Sequence, residues 1–212
     1  MSSANSTVLV IDDDPHVLAS IGRLLRSVGV NAQLFGSIPE FLSSDPPDGP
    51  ACLVLDVRLP GQSGLDLQRE LAEANNEIPI IFVTGHGDIP MTVQAMKRGA
   101  IEFLTKPVRD QELLDAIQTG LSRDRARRES ERELAVLRER FESLSPRERE
   151  IVILVAHGRL SKQIAFDIGI AEATVKVHRS KAMQKMQAGS LLELGRIAAR
   201  LKLLPNVASR AS

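Results

Sequence analysis

The stretch VLVIDDD at residues 8–14 joins four consecutive apolar residues to three aspartates. Similar apolar runs occupy 52–55 and 80–83, and weaker ones occupy 31–35 and 101–105. Runs of this kind are typical of strands buried on both faces of a parallel sheet. Between them, apolar residues recur at helical spacing: Val17, Ile21, Leu24, Leu25 and Val28; Leu65, Leu67 and Leu71; Val93 and Met96; Leu113, Leu114, Ile117 and Leu121. The alternation predicts a doubly wound α/β domain of five parallel strands and five helices.

The net charge of zero conceals two halves of opposite sign. Residues 1–119 contain 8 basic and 16 acidic residues, whereas residues 120–212 contain 19 and 11. This asymmetry predicts two domains with different partners, and the basic half favours a polyanion. Six Phe without any Trp or Tyr provide little surface for stacking unpaired bases, which disfavours an RNA or single-strand binder.

Two further observations bear on location and cross-links. No apolar run approaches the roughly 18 residues of a membrane span, and the start MSSANST lacks a basic-then-apolar pattern. We therefore expect a cytoplasmic protein without a membrane partner. The single cysteine, Cys52, excludes an intramolecular disulfide and a thiolate zinc site.

The segment RDRARRESERE at 123–133 predicts a connector between the two domains. It is nearly free of apolar residues, so we expect it to bury nothing. Good helix formers and the pairs Asp124 with Arg128 and Arg127 with Glu131 favour a solvated helix over coil. The predicted organisation is an α/β domain over 1–121, a helical linker over 122–142 and a helical domain over 143–212.

Apolar residues follow the connector at heptad spacing for two heptads: Leu134, Leu137, Phe141 and Leu144. A coiled coil requires about three or four heptads. The pattern therefore favours packing onto a neighbouring domain and leaves dimerisation through this segment as the alternative.

The helical domain begins at Ser145-Pro146-Arg147-Glu148. Ser at the N-cap, Pro in the first helical position and Glu at N3 form a capping box. Four short helices are predicted, over 146–156, 161–167, 172–186 and 190–201, with breaks at Gly158 and Gly169.

Polar side chains follow four of the predicted strands. Asp12, Asp13 and Asp14 follow the first strand, Asp56 the third, Thr84 the fourth and Lys106-Pro107 the fifth. The carboxyl ends of parallel strands meet at one edge of the sheet, so these groups are expected to converge. Clustered carboxylates without His or Cys suit Mg²⁺ or Mn²⁺. Each group taken alone also fits a cap, a turn or a solvated charge.

These residues carry a resemblance to a known family. IDDD, VLDVRLPGQSGLDL around Asp56, TGHGDIPMTVQAMKRGA and FLTKP resemble the receiver domain of two-component response regulators of the FixJ/NarL type, over about residues 7–121. The resemblance implies that Asp56 accepts a phosphoryl group. It also implies that Asp13, Asp56 and the Arg58 backbone carbonyl ligate Mg²⁺ (or Mn²⁺), with Asp12 bound through water.

The same resemblance identifies the residues that would change conformation on phosphorylation. Lys106 would pair with the phosphoryl oxygens, and the Thr84 hydroxyl would turn toward them. Phe103 stands at the position of the family's aromatic rotamer switch, and Lys106-Pro107 at that of its cis peptide. Arg58 and His86, two positions beyond Asp56 and Thr84, are not efficient water-positioning groups, so the implied self-dephosphorylation is slow.

The basic half has the spacing of a helix-turn-helix around Gly169. On the second helix, Val175, His178, Ala182 and Met186 are predicted to face the core, whereas Val177, Ser180 and Gln184 face outward between Lys176 and Lys181. Small side chains between two cations suit a major groove. The candidate DNA contacts are Lys162, Thr174, Lys176, Val177, Arg179, Ser180 and Lys181.

SPRERE and TVKVHR resemble landmarks of the LuxR/FixJ-type DNA-binding domain, over roughly residues 143–204. Two positions depart from the family: Ser161 replaces its usual Asn, and Ala171 replaces its usual Ser or Thr cap, which costs about 1 kcal/mol of helix stability. The alternative is a basic helical module that binds protein.

Together the two resemblances imply a transcription factor that is phosphorylated on Asp56 by a sensor histidine kinase, dimerises and binds double-stranded promoter DNA. RNA polymerase is a further expected partner, and no enzyme activity is expected beyond self-phosphorylation from small donors and slow self-dephosphorylation. The dimer face is expected to include Met96, Lys97, Phe103, Asp110 and Leu114. The alternatives are constitutive DNA binding and a haloacid-dehalogenase-like phosphatase, which Arg58 disfavours because that chemistry places a second acid there.

Overall fold

Five parallel strands form the centre of the N-terminal unit, in a computed structural model that describes residues 6–85 and 89–203. They are β1 (Thr7–Ile11), β2 (Asn31–Phe35), β3 (Ala51–Leu55), β4 (Ile80–Thr84) and β5 (Glu102–Thr105). Their order in the sheet is β2-β1-β3-β4-β5. Ile11 at the end of β1 pairs with Leu55 at the end of β3. The residues that follow these two strands are therefore neighbours at the topological switch point, where α/β sheets place their functional groups.

Helices cover both faces of this sheet: α1 (Pro15–Ser27), α2 (Ile38–Leu42), α3 (Gly64–Glu73), α4 (Ile89–Lys97) and α5 (Asp110–Glu142). Alternate strand residues point to opposite faces. One layer packs Leu53 and its neighbours against α2, α3 and α4, and the other packs Val54 and its neighbours against α1 and α5. The prediction of a doubly wound five-stranded parallel sheet is confirmed.

Several details differ from the sequence prediction. Helix α2 is only five residues long, too short to show a helical period, and it begins at the Ser37 N-cap. Val28 is the C-cap of α1 and is exposed, because the helix ends one residue earlier. Val93 and Met96 are also exposed, since α4 buries only Ala95. Strand β5 begins one residue after Ile101.

The connector is helical, as predicted, because α5 runs without interruption from Asp110 to Glu142. The Asp124–Arg128 ion pair is also confirmed, at 2.7 Å. The prediction that nothing in 123–133 is buried was wrong, since Asp124 is 1% exposed. Its burial is tolerated because the Ala51 N–H and two arginines donate hydrogen bonds to the carboxylate.

The chain divides into two units, Met1–Arg128 and Glu129–Ser212. The sequence-based boundaries at 121 and 143 stay a prediction. The second unit contains α6 (Pro146–Ala156), α7 (Ser161–Ile168), α8 (Glu172–Met186) and α9 (Leu191–Arg200). Residues 204–212, which the predicted domain included, lie outside the described residues.

Capping and glycine geometry explain where these helices begin and end. Ser145 and Glu148 form the predicted capping box at α6. Glu148 also accepts a hydrogen bond from Lys185 of α8 at 2.7 Å, and this contact, followed by the Ser145 N–H, lowers the pKa of the Glu148 carboxyl. Gly158 and Gly169 follow α6 and α7 with φ of 77° and 67°, left-handed values that favour glycine.

Of the apolar residues that follow the connector, Leu137, Phe141 and Leu144 belong to the second unit's core, whereas Leu134 is half-buried and lies outside that cluster. Leu137 and Leu144 are buried together with Met186, Leu194 and other residues of α6, α8 and α9. Phe141 packs against the same cluster. Packing onto the neighbouring domain, the favoured interpretation of the heptad pattern, is confirmed for Leu137 and Leu144. Among the described residues, no helix is both long and apolar enough to cross a bilayer.

Candidate functional site

The carboxyl ends of β1, β3 and β5 bring three charged side chains into contact. The Lys106 ammonium donates to Asp12 Oδ2 and to Asp56 Oδ2, each at 2.6 Å. Backbone N–H groups satisfy the other carboxylate oxygens: Asp14 N donates to Asp12 Oδ1 and Arg58 N to Asp56 Oδ1, each at 3.0 Å. The predicted convergence of Asp12, Asp56 and Lys106 is therefore confirmed.

Both carboxylates are almost buried, with Asp12 2% and Asp56 7% exposed. Burial is the main cause of a raised pKa at Asp12, where the nearby Asp56 charge adds to it and the Lys106 and Asp14 hydrogen bonds oppose it. Burial alone would lower the pKa of Lys106, but its hydrogen bonds to Asp12 and Asp56 outweigh that effect and raise the pKa. Lys106 therefore stays protonated between the two acids.

Asp13 completes a set of oxygen ligands. One carboxylate oxygen each from Asp12, Asp13 and Asp56 lie within 4.8 Å of one another, and Asp13 is exposed to solvent. A cluster of carboxylate oxygens without His or Cys matches the ligands that Mg²⁺ prefers. Burial is the main cause of the raised pKa of Asp12, and the smaller contribution from the Asp56 charge is one that a divalent cation would offset. These residues fit the predicted metal.

Among the described residues, the remaining predicted site residues are Thr84 at the end of β4, Phe103 in β5 and Lys106–Pro107 directly after β5. Thr84 is fully buried, and its carbonyl accepts a hydrogen bond from Lys106 N at 2.8 Å. Phe103 is half-buried, with its ring centroid 6.0 Å from that of Phe82. The Lys106–Pro107 peptide is cis, as the resemblance implied. His86 lies outside the described residues.

Two further residues support the site: Asp14, for which the sequence left a cap as one alternative, and Gly64, for which it assigned no role. Asp14 is the N-cap of α1, and its side chain accepts from His16 N at 2.8 Å. Gly64 opens α3 against the Asp56 backbone, where a Cβ would stand less than 3.0 Å from the Asp56 carbonyl oxygen. The run IDDDPH carried a capping signal for Asp14, because Pro15 occupies the first helical position. No local signal distinguishes Gly64, because its constraint is tertiary.

The second candidate site is the helix-turn-helix formed by α7, Gly169 and α8. Val175, Ala182 and Met186 are fully buried, as predicted, and His178 is half-buried. The other face of α8 is exposed: Val177 is 52% exposed. Exposed with it are Thr174, Lys176, Ser180, Lys181 and Gln184, and Lys162 is exposed on α7. The outward strip of small side chains flanked by lysines is therefore present.

Two of the predicted DNA contacts have partners within the domain. The Arg179 guanidinium is half-buried and donates to Ser161 Oγ at 3.0 Å, which joins α8 to the start of α7. Lys176 pairs with Glu172 one turn earlier, at 2.8 Å. Ala171 is the N-cap of α8 without a side-chain hydrogen bond, in agreement with the missing cap.

Comparisons with known proteins match both domains. Residues 8–118 match the family model of the response regulator receiver domain, and residues 142–198 match that of the bacterial regulatory proteins, luxR family. Nodulation protein W of Bradyrhizobium diazoefficiens is 54% identical over 205 residues, covering 97% of this chain and 90% of that protein. The transcriptional regulatory protein FixJ of Azorhizobium caulinodans is 41% identical over 191 residues, covering 90% of each.

A solved structure extends the similarity to both domains. The response regulator StyR is 47% identical, with a TM-score of 0.82 over 93% of this chain and 100% of that chain. The chain therefore belongs to the two-component response regulators that join a receiver domain to a LuxR-type DNA-binding domain. Within that family it is a DNA-binding transcription regulator.

Proposed function

We propose that this regulator is switched by phosphorylation of Asp56. The observation that carries the proposal is the position of the Asp56 carboxylate, at the end of a central strand and in contact with the Lys106 ammonium at 2.6 Å. A carboxylate attacks an anionic phosphoryl group poorly unless positive charge offsets the repulsion. Lys106 supplies such charge at the reacting oxygen.

Neighbouring residues complete the phosphoryl site. The Arg58 N–H orients one Asp56 oxygen at 3.0 Å, which leaves the other facing Lys106. After transfer, Lys106 pairs with the phosphoryl oxygens and the Thr84 side chain at the end of β4 turns toward them. Phe103, on the adjacent strand, then rotates and changes the surface of α4 and β5.

We assign the metal ligands to Asp12, Asp13, Asp56 and the Arg58 backbone carbonyl, with Asp12 acting through water. Bound there, Mg²⁺ or Mn²⁺ would supply the charge that offsets repulsion between the acids and the incoming phosphoryl group. The chain's own contribution is to hold Asp12 and Asp56 together through Lys106 and to leave Asp13 open to solvent.

The phosphoryl donor is a sensor histidine kinase, and small phosphodonors such as acetyl phosphate also serve. Self-dephosphorylation is slow, because Arg58 offers no carboxylate or amide to position water.

Phosphorylation drives dimerisation through a face on α4, β5 and α5. Met96 is 40% exposed and Val93 44% exposed, so α4 presents apolar surface that the described residues leave uncovered. Lys97, Phe103, Asp110 and Leu114 complete the face.

In the dimer, two copies of α8 contact double-stranded promoter DNA through Thr174, Lys176, Val177, Arg179, Ser180 and Lys181, with Lys162 of α7 on a phosphate. RNA polymerase is the partner on the promoter.

Phosphate incorporation tests this function. We expect the wild-type protein to take up label from acetyl phosphate in the presence of Mg²⁺, and the Asp56→Asn variant to take up none, because an amide cannot form the acyl phosphate. The Asp48→Asn variant is the matched control, since Asp48 is an exposed loop acid. Label retained on Asp56→Asn would overturn the assignment of Asp56.

A further inference from the structure

The base of the sheet contains a buried carboxylate that the phosphoryl site does not use. Asp124 Oδ2 accepts from Ala51 N at 2.8 Å and from Arg128 Nε at 2.7 Å. Its Oδ1 accepts from Arg127 at 2.6 Å and 3.1 Å. Arg128 also donates to the Pro47 carbonyl at 3.3 Å. We call Asp124, Arg127, Arg128 and the Ala51 N–H the Asp124 cluster.

The Asp124 cluster joins the phospho-acceptor strand to the linker helix. Ala51 is the first residue of β3, and β3 ends at Leu55, immediately before Asp56. Asp124 lies on α5, 73 residues later in the chain than Ala51. Burial opposes its charge, but the Ala51 N–H and then Arg127 and Arg128 outweigh burial and lower the pKa of Asp124. The carboxylate is therefore ionised at neutral pH, and both of its oxygens accept hydrogen bonds.

Asp124 is also the last residue that α5 buries on the receiver side. From 125 to 136 no residue of the helix is buried. The next buried residue, Leu137, belongs to the core of the DNA-binding unit. Within the receiver unit, the Asp124 cluster holds the helix to the start of β3, and Arg125 adds a hydrogen bond to Ser6 Oγ at 3.3 Å.

We propose that Asp124 is a positioning residue that couples β3 to the linker helix, so that phosphorylation of Asp56 changes DNA affinity only while the Asp124 cluster is intact. This inference rests on the proposed phosphorylation of Asp56. Removal of the carboxylate leaves the Ala51 N–H and two guanidinium groups without their acceptor. Leu113 and Leu121 still pack α5 against the sheet, so the part of the helix that is released from the start of β3 is the part beyond Leu121. A residue that only stabilised the fold would lower stability and leave the response to phosphorylation unchanged.

The test uses the full chain with three single substitutions. Asp124→Ala removes every bond of the cluster. Asp124→Asn keeps an oxygen that can accept from Ala51 N but removes the charge that pairs with the arginines. Asp115→Asn is the matched control, because Asp115 is an exposed acid on the same helix. Affinity is measured, with and without acetyl phosphate and Mg²⁺, for a duplex selected from a random library by the wild-type protein.

The readout is the ratio of the DNA affinity with acetyl phosphate and Mg²⁺ to the affinity without them. We expect this ratio to fall to about one in Asp124→Ala, to be intermediate in Asp124→Asn and to equal the wild-type ratio in Asp115→Asn. Phosphate incorporation should be retained in all three variants. Amide hydrogen exchange over 125–136 should be at least about tenfold faster in Asp124→Ala than in the wild type. If Asp124→Ala does not fold, the same two readouts on Asp124→Asn decide.

The outcomes separate this inference from the proposed function. A wild-type ratio in Asp124→Asn and Asp124→Ala, with unchanged exchange over 125–136, would overturn the role of Asp124 while phosphorylation of Asp56 stands. A wild-type protein that takes up no label would refute the proposed function and the coupling together.

Discussion

Substitution of Gly64 by Ala should damage the phosphoryl site without touching any charged side chain. Gly64 is the first residue of α3, and its N–H donates to the Val57 carbonyl at 2.9 Å. A Cβ there would approach the Asp56 carbonyl oxygen to less than 3.0 Å and the Leu55 Cγ to 3.0 Å, whereas ordinary contacts begin at 3.4 Å. Either the α3 backbone or the Asp56 backbone must therefore move by roughly 0.5–1 Å.

The expected magnitudes follow from that displacement. Overpacking of this kind costs about 1–3 kcal/mol of unfolding free energy. A misplacement of about 1 Å at a reacting group can lower a rate by roughly 100-fold. We therefore expect Gly64→Ala to be folded but less stable, and to be phosphorylated by acetyl phosphate up to about 100-fold more slowly than the wild type.

The assay combines urea unfolding with the rate of label uptake. Gly36→Ala is the matched control, because a Cβ at Gly36 meets only the tip of Glu40, at 3.7 Å. Its stability should stay within about 0.5 kcal/mol of wild type, with an unchanged labelling rate. Wild-type stability and a wild-type rate in Gly64→Ala would refute the steric argument.

Three further predictions concern the two domains and the helix between them. Lys176→Ala should cost about 1–3 kcal/mol of DNA-binding free energy and relax the preference for particular bases. Lys162→Ala should weaken binding to all duplexes alike and lower the slope of log affinity against log salt concentration by about one. Competition assays with specific and random duplexes at several salt concentrations would show both effects. Because the folded pKa of Asp124 is lowered, its stabilisation is complete above the unfolded value of about 3.9 and is lost as pH falls through the folded pKa. The free energy of unfolding of Asp124→Asn should therefore decrease less at acid pH than that of the wild type. An equal decrease in both proteins would contradict the lowered pKa. Leu137→Ala should cost about 2–5 kcal/mol in thermal or urea unfolding, whereas the neighbouring and exposed Val136→Ala should be nearly neutral; equal effects would contradict the placement of Leu137 in the second core.

Much of the fold was predictable because its three central strands, β1, β3 and β4, are buried on both faces. Runs such as Val8 to Ile11 have no polar face, and this pattern is independent of the partner strands. The start of α6 at Ser145 was predictable because capping is a local interaction. The convergence of Asp12, Asp56 and Lys106 followed from topology alone, since parallel strands bring their carboxyl ends to one edge.

The features that could not be predicted depend on partners distant in the chain. Asp124 is polar and stands among charged residues, so only the donors that surround it in the fold make its burial possible. The constraint on Gly64 comes from the backbone carbonyl of Asp56, which directly follows β3. The contact of Arg179 with Ser161 depends on the angle between α7 and α8, which the sequence pattern does not specify.

The most direct test of the account is the affinity of the full chain for its selected duplex, measured with and without acetyl phosphate and Mg²⁺, in the wild type and in Asp56→Asn. We expect phosphorylation to tighten binding in the wild type only and Asp56→Asn to stay at the unphosphorylated affinity. Equal affinities with and without the phosphodonor in a labelled wild-type protein would show constitutive DNA binding and would contradict phosphorylation control.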